Sequence, residues 1–244
     1  MRIKLTIQYN GSAFSGWQSQ PNGNAVQDYV ERALSNFLGG EQVRIYGAGR
    51  TDVGVHAIAQ VAHFDTNKKV NPFKLCLGVN LSLPQGIAVT DAQVVEDTFD
   101  ARFGASSKTY CYSFYVSPTR KPLLDETRTQ LYTMPNVELM QQVSDILVGE
   151  HDFGAFQKSG RTIKGTVRKI NSLTVTQNGD LIDVAINGNA FLYNMVRIIA
   201  GTLVAVGYGK ITLDDVSQML QTGKRKTGIK TVASKGLTLK EVIY

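Results

Sequence analysis

The residues best suited to chemistry lie in the stretch GAGRTDVGVHA, residues 47–57. Three glycines surround Arg50, Thr51 and Asp52 just after a predicted strand. Glycine lets the backbone turn sharply or approach another group closely. Such a loop either aims a side chain or cradles an anion. The anion reading needs a phosphate motif: GxxxxGK[ST] is absent, and GAGRTD lacks the third glycine of GxGxxG. Asp52 is then either a turn aspartate that bonds its own backbone or a carboxylate aimed for use as nucleophile or base.

Arg197 bears on that choice. It is the sole charge between residues 190 and 206, AFLYNMVRIIAGTLVAV. A guanidinium keeps its proton, so a buried one needs partners or costs on the order of several kcal/mol. It can snorkel to a surface or cap a carbonyl. Alternatively it can pair with a fixed carboxylate, for which Asp52 is a candidate. Such a pair would hold Asp52 ionised and oriented, with a lowered pKa.

In SKTYCYSFYV, alternation puts Tyr110, Tyr112 and Phe114 on one face of a strand and Cys111, Ser113 and Tyr115 on the other. Aromatic alternation is ordinary strand content. A tyrosine facing a cleft can also stack on a flat ring, as nucleic-acid sites do. Basic residues gather at Lys158, Arg161, Lys164, Arg168 and Lys169, and again at Lys224, Arg225, Lys226 and Lys230. With a net charge of +6, they make nucleic acid the leading partner. His56 has no evident metal or nucleophile partner and reads as structural.

The elements that must position these residues follow from periodicity. RIKLTIQY is a half-buried strand with Ile3, Leu5, Ile7 and Tyr9 on one face. A helix follows, with Asn24 as expected N-cap, Gln27 three residues on, and an apolar stripe from Val26 to Leu38. Strands are expected at 42–47, 57–65 and 87–95, with a helix at 71–78. The first half thus reads β-α-β-β-α-β, the split βαβ or ferredoxin-like order. The second half reads similarly: a strand at 107–116, the helix VELMQQVSDILVG, a hairpin about Asn178-Gly179, the apolar helix from 190, a short helix at TLDD, and a closing strand GLTLKEVIY. The expected fold is α+β: two ferredoxin-like halves with mostly antiparallel sheets flanking a basic cleft. The N-terminal half, 1–105, carries the Asp loop, and the C-terminal half, 106–244, completes the site.

Composition narrows the classes further. The chain has 244 residues, 43% hydrophobic and 19% charged, as expected of a globular protein with a core. Two distant cysteines form no disulfide framework, and three histidines show no zinc spacing. The alternating N-terminus is a strand rather than a secretory signal. The longest apolar run is short for a membrane span and carries Arg197. These features predict an intracellular location without membrane attachment.

The segment GAGRTDVGVHAIAQVAHF resembles the active-site segment of the tRNA pseudouridine synthase A family. YNGSAFSGWQSQPNGNAVQDYVERAL, FDARFGASSKTYCYSF, GEHDFGAF, NAFLYNMVRIIAGTLVAVG and GLTLKEVIY resemble further family segments, in the family's order. The resemblance covers nearly the whole chain. It implies isomerisation of uridine to pseudouridine at positions 38–40 of the tRNA anticodon stem-loop, by a cytoplasmic homodimer using no cofactor and no metal. It implies Asp52 as the essential carboxylate and Tyr110, Arg197 and Arg50 as substrate-binding residues. The chain departs from the family in two places. TGIKTVASKG stands where members often carry a proline-bearing segment, and Lys108 and Cys111 stand where an RTYRY-like segment has arginines.

Two other functions compete. A non-catalytic RNA-binding protein of tandem ferredoxin-like units would use the same aromatics and charge. It leaves the acid of GAGRTD and the isolated Arg197 without a purpose. An aspartate-nucleophile hydrolase would need a metal-binding carboxylate cluster, which Asp65 and Asp91 do not supply.

Overall fold

The computed structural model describes residues 1–21, 23–158 and 165–244. They divide into two compact units, Met1–Ser106 with Thr238–Tyr244, and Ser107–Leu237.

The first unit runs β1 (Arg2–Tyr9), α1 (Val26–Phe37), β2 (Tyr46–Gly47), β3 (His56–Asp65), α2 (Pro72–Asn80) and β4 (Ile87–Val95). Its strands order as β4-β1-β3, with β2 also on β3, all antiparallel. β1 is central because its alternation buries Ile3, Leu5, Ile7 and Tyr9. α1 buries Val26, Val30, Ala33 and Leu34, the stripe set by its 3.6-residue period.

Two local expectations shift. The cap of α1 is Ala25, whose N–H donates to the Asp28 carboxylate at 3.0 Å, while Asn24 donates to the Ala13 carbonyl. β2 is two residues long, because the flanking Ile45 is bonded elsewhere. Its N–H goes to the Glu31 carboxylate (2.9 Å) and its carbonyl accepts from the Gln27 amide (3.2 Å).

The second unit runs β5 (Ser107–Val116), α3 (Pro122–Asp125), β6 (Thr129–Leu131), α4 (Val137–Leu147), β7 (Gly149–Asp152), β8 (Val167–Asn178), β9 (Leu181–Gly188), α5 (Met195–Gly207) and α6 (Leu213–Thr222). Its sheet orders as β5-β9-β8-β7, antiparallel between neighbours, with β6 parallel to β5. The β8–β9 hairpin turns at Gly179, whose φ of +57° suits glycine. α5 is buried over most of its surface, from Met195 to Val206, which accounts for its near-continuous apolar sequence. α6 begins with reciprocal bonds between Thr212 and Asp215.

The final strand, β10 (Leu237–Ile243), pairs in parallel with β3, Thr238 opposite His56 and Leu239 opposite Ala57. The Tyr244 hydroxyl donates to the Ala101 carbonyl at 2.8 Å. These contacts place Thr238–Tyr244 in the first unit, although in sequence they close the second half. The mixture of helices with mostly antiparallel strands is the expected α+β class.

Candidate active site

Asp52 stands half-buried on the loop between β2 and β3. Its carbonyl accepts the Val55 N–H at 3.1 Å, and Gly54, at φ +78°, completes that turn. Thr51, 7% exposed, is the anchor before it. The Thr51 carbonyl accepts the Trp17 N–H at 3.1 Å, and its hydroxyl lies 2.8 Å from the Tyr9 hydroxyl. Gly16 sits beneath at φ +86°, where a Cβ would stand 2.7 Å from the Thr51 carbonyl oxygen. A Cβ on Gly11 would run into the Val55 carbonyl. The loop after β1 therefore grips the Asp loop through two glycines that allow backbone-to-backbone approach.

More contacts fix the flanks. The buried His56 accepts the Gly11 N–H on Nδ1 at 3.1 Å, a structural use of its ring. Gln60, fully buried, donates its amide to the Gly49 carbonyl at 2.9 Å. Arg50 is exposed, and its Nε donates to the Gln18 amide oxygen at 3.1 Å. Gln18 in turn donates to Gln27 at 2.7 Å.

Tyr110 and Arg197 stand in the second unit. Arg197, half-buried on α5, donates Nε to the Val232 carbonyl (2.8 Å) and Nη1 to the Asn194 amide oxygen (3.0 Å). Asn194 takes a left-handed conformation (φ +61°), alone among the described non-glycine residues. Tyr110 is 8% exposed, with its ring edge-on to Phe191 at 5.1 Å. The neighbouring Tyr112 donates to the Ala233 carbonyl at 2.6 Å. Burial pushes its phenol well above the usual range, against the Thr129 hydrogen bond and the Arg197 charge.

The two basic clusters differ from uniform solvated patches. Lys158 is exposed, its ammonium 5.5 Å from the centre of the Tyr193 ring. Arg161 and Lys164 lie outside the described residues. Arg168 donates to the Val167 carbonyl, and Lys169 is exposed. In the second cluster Arg225 donates to the carbonyls of Ala155 and Gln157, and burial lowers its pKa. Lys226 pairs with Asp215 at 2.6 Å. Lys224 and Lys230 are exposed. Among the described residues there is no group of three or more His, Cys, Asp or Glu that could hold a metal ion. No described helix is long and apolar enough to cross a membrane.

The sequence reading did not identify Tyr9, Gly16, Gln18, Gln60 and Asn194 as supports of these residues. Gly16 and Asn194 carry a local signal, a residue type suited to positive φ. The Tyr9 and Gln60 contacts depend on tertiary placement that no local pattern encodes.

A family model described as tRNA pseudouridine synthase matches residues 5–104 and 144–244. The chain is 42% identical to the tRNA pseudouridine synthase A of Burkholderia thailandensis, covering 100% of this chain and 90% of that one. It is 43% identical to the tRNA pseudouridine synthase A of Geotalea daltonii, covering 99% of each. A chain of the solved structure titled "Crystal Structure of a Cbf5-Nop10-Gar1 Complex" is 12% identical, with a TM-score of 0.39 over 97% of this chain and 48% of that one. That last likeness is too distant to bear on function.

Proposed function

The chain belongs to the tRNA pseudouridine synthase family, and from that premise we propose that it isomerises uridine to pseudouridine at positions 38–40 of the tRNA anticodon stem-loop. The observation that carries the site assignment is the framing of Asp52: one carboxylate on a half-buried loop, gripped on both sides by backbone and hydroxyl contacts. A turn that only had to reverse the chain would not need that many.

The reaction breaks the N-glycosidic bond, turns the uracil, and joins C5 to the ribose. The proton on C5 is released once the new bond forms, and N1, freed from the ribose, takes up a proton, so that product and substrate are isomers. Asp52 supplies the carboxylate, which either attacks as a nucleophile or takes a ribose proton to give a glycal; both routes use the ionised form. Tyr110 stacks on the uracil, Arg197 helps keep the flipped nucleotide out of its helix, and Arg50 contacts the tRNA. The exposed lysines supply attraction to the phosphate backbone without reading sequence. An isomerisation moves no net electrons, so no redox cofactor is called for. Activity as a cytoplasmic homodimer without a metal completes the proposal.

The test is mass-spectrometric mapping of pseudouridine in unmodified tRNA after incubation with the purified chain, together with tritium release from tRNA labelled at uridine C5. Pseudouridine confined to positions 38–40, and lost in Asp52→Asn while tRNA binding persists, is the expected result. Product elsewhere would overturn the positional assignment, and an active Asp52→Asn the role of the carboxylate.

A further inference from the structure

We infer that the Thr51–Tyr9 hydroxyl pair is a positioning contact for the reaction, fixing where the Asp52 carboxylate stands before tRNA binds. The inference rests on Asp52 as the essential carboxylate and adds the device that aims it.

Thr51 is held at several points. Its hydroxyl lies 2.8 Å from that of Tyr9, its carbonyl accepts the Trp17 N–H, and Gly16 packs against that same carbonyl. The loop is also held by contacts that do not involve the hydroxyl. The Thr51 carbonyl is already bonded, the turn from Asp52 to Val55 closes on its own hydrogen bond, and a buried valine has the shape of threonine. What the hydroxyl adds is direction. A bond at Thr51 Oγ1 tethers the residue through its Cβ and so limits how far the peptide that leads into Asp52 can shift.

The partner is well chosen for stiffness. Tyr9 is the last residue of β1, is 3% exposed, and has its ring stacked on Trp17 at 6.1 Å. A loop residue tied to a sheet strand is held more closely than one tied only to its own loop. Misplacement by about 1 Å can cost on the order of 100-fold in rate. The Tyr9–Thr51 contact therefore belongs with positioning residues rather than catalytic ones, since neither side chain is asked to touch the uridine.

The test uses the purified full chain and separates aiming from folding. Replacing both partners of a buried hydrogen bond by apolar groups of the same shape disturbs folding less than removing one of them. The double variant Thr51→Val/Tyr9→Phe is expected to keep its KM for tRNA and stay folded at the assay temperature, while kcat for tritium release falls by about tenfold or more. Thr51→Ser keeps the hydroxyl and is expected to keep most of kcat. The two single changes are expected to be strongly non-additive in kcat.

A double variant with wild-type kcat, or a Thr51→Ser as slow as Thr51→Val, would overturn the inference. So would a kcat loss that tracks a fall in the unfolding midpoint across the whole series. Asp52→Asn, run alongside, keeps the two claims apart. An active Asp52→Asn removes the reading of Asp52, whereas an inactive one beside a fully active double variant removes only the positioning contact.

Discussion

Arg197 is tied to Val232 from both sides: its Nε donates to the Val232 carbonyl at 2.8 Å, and the Val232 N–H reaches back to the Arg197 carbonyl at 3.5 Å. The segment before β10 thus lies along α5 and holds the guanidinium in place. This segment, Thr227–Gly236 in sequence, also approaches α5 closely. Gly201, one turn on from Arg197, has no room for a side chain, because a Cβ there would overlap the Lys230 carbonyl.

Gly201→Ala follows from that approach. In an exposed helix the change would favour folding by about 1 kcal/mol. Here the added methyl meets backbone, which cannot rotate away, and overpacking of this kind costs about 1–3 kcal/mol. The net expectation is a loss of stability, read as a lower denaturant midpoint with an unchanged slope. Activity is expected to fall further than stability, because the displaced segment carries the Val232 carbonyl that orients Arg197.

Arg225 and its lysine neighbours should separate in their effects. The Arg225 guanidinium is spent on the carbonyls of Ala155 and Gln157. Arg225→Ala is expected to cost about 2 kcal/mol of stability, since hydrogen bonds to charged groups are worth about 1.5–3 kcal/mol and this one is partly solvated. Lys224→Gln with Lys230→Gln should leave stability within about 0.5 kcal/mol. That pair is expected instead to weaken tRNA binding and flatten its dependence on salt, by about one unit of slope for each phosphate no longer neutralised. Thermal unfolding and salt-titrated binding measure the two effects separately.

His63 makes the first unit sensitive to acid. Its Nδ1 accepts the Ala101 N–H at 3.1 Å, and its ring stacks on Tyr46 at 5.3 Å. Burial and then the Arg2 charge lower its pKa below 6.5, against the pull of Asp100 and Asp65. The unfolded chain therefore binds the proton more readily than the folded one. The His63 contribution is complete above about pH 6.5 and is lost as the pH falls from there through the lower folded value. Protonation also removes the acceptor for Ala101, whose carbonyl holds Tyr244. Unfolding midpoints followed from pH 7.5 to 5 should fall more steeply for the wild type than for His63→Gln.

Much of this architecture was legible in local sequence, and the reasons are physical. β5 and the apolar stripe of α1 follow the strand and helix periods. TLDD announced the capping of α6, and Asn178-Gly179 the hairpin. What escaped was non-local. Nothing near Ile45 shows that Gln27 and Glu31 take its hydrogen bonds and shorten β2. GLTLKEVIY reads as a strand, but its partner β3 lies far back in the chain. At the candidate site the sequence pointed to Asp52 and the glycines around it, and the structure places Asp52 and Gly54 on one turn. It did not show Gly16, Trp17 and Tyr9 gripping Thr51, because that grip exists only once β1 and β3 are paired.

Gly16 provides the sharpest check on that grip, because Gly40 supplies a matched control. The two have nearly the same φ, +86° and +87°. An L-residue at either position is strained by the positive φ, at a cost of about 1–2 kcal/mol. They differ in surroundings. A Cβ on Gly40 meets nothing within 4 Å, whereas one on Gly16 stands 2.7 Å from the Thr51 carbonyl oxygen. Gly40→Ala is therefore expected to lower stability and leave kcat untouched. Gly16→Ala is strained as well and also pushes the Thr51–Asp52 backbone, so its kcat should fall by about tenfold or more with KM little changed. Equal kcat in the two variants would mean that the Asp52 loop absorbs the added methyl without moving its carboxylate. A kcat loss confined to Gly16→Ala would tie the rate to the position of that backbone.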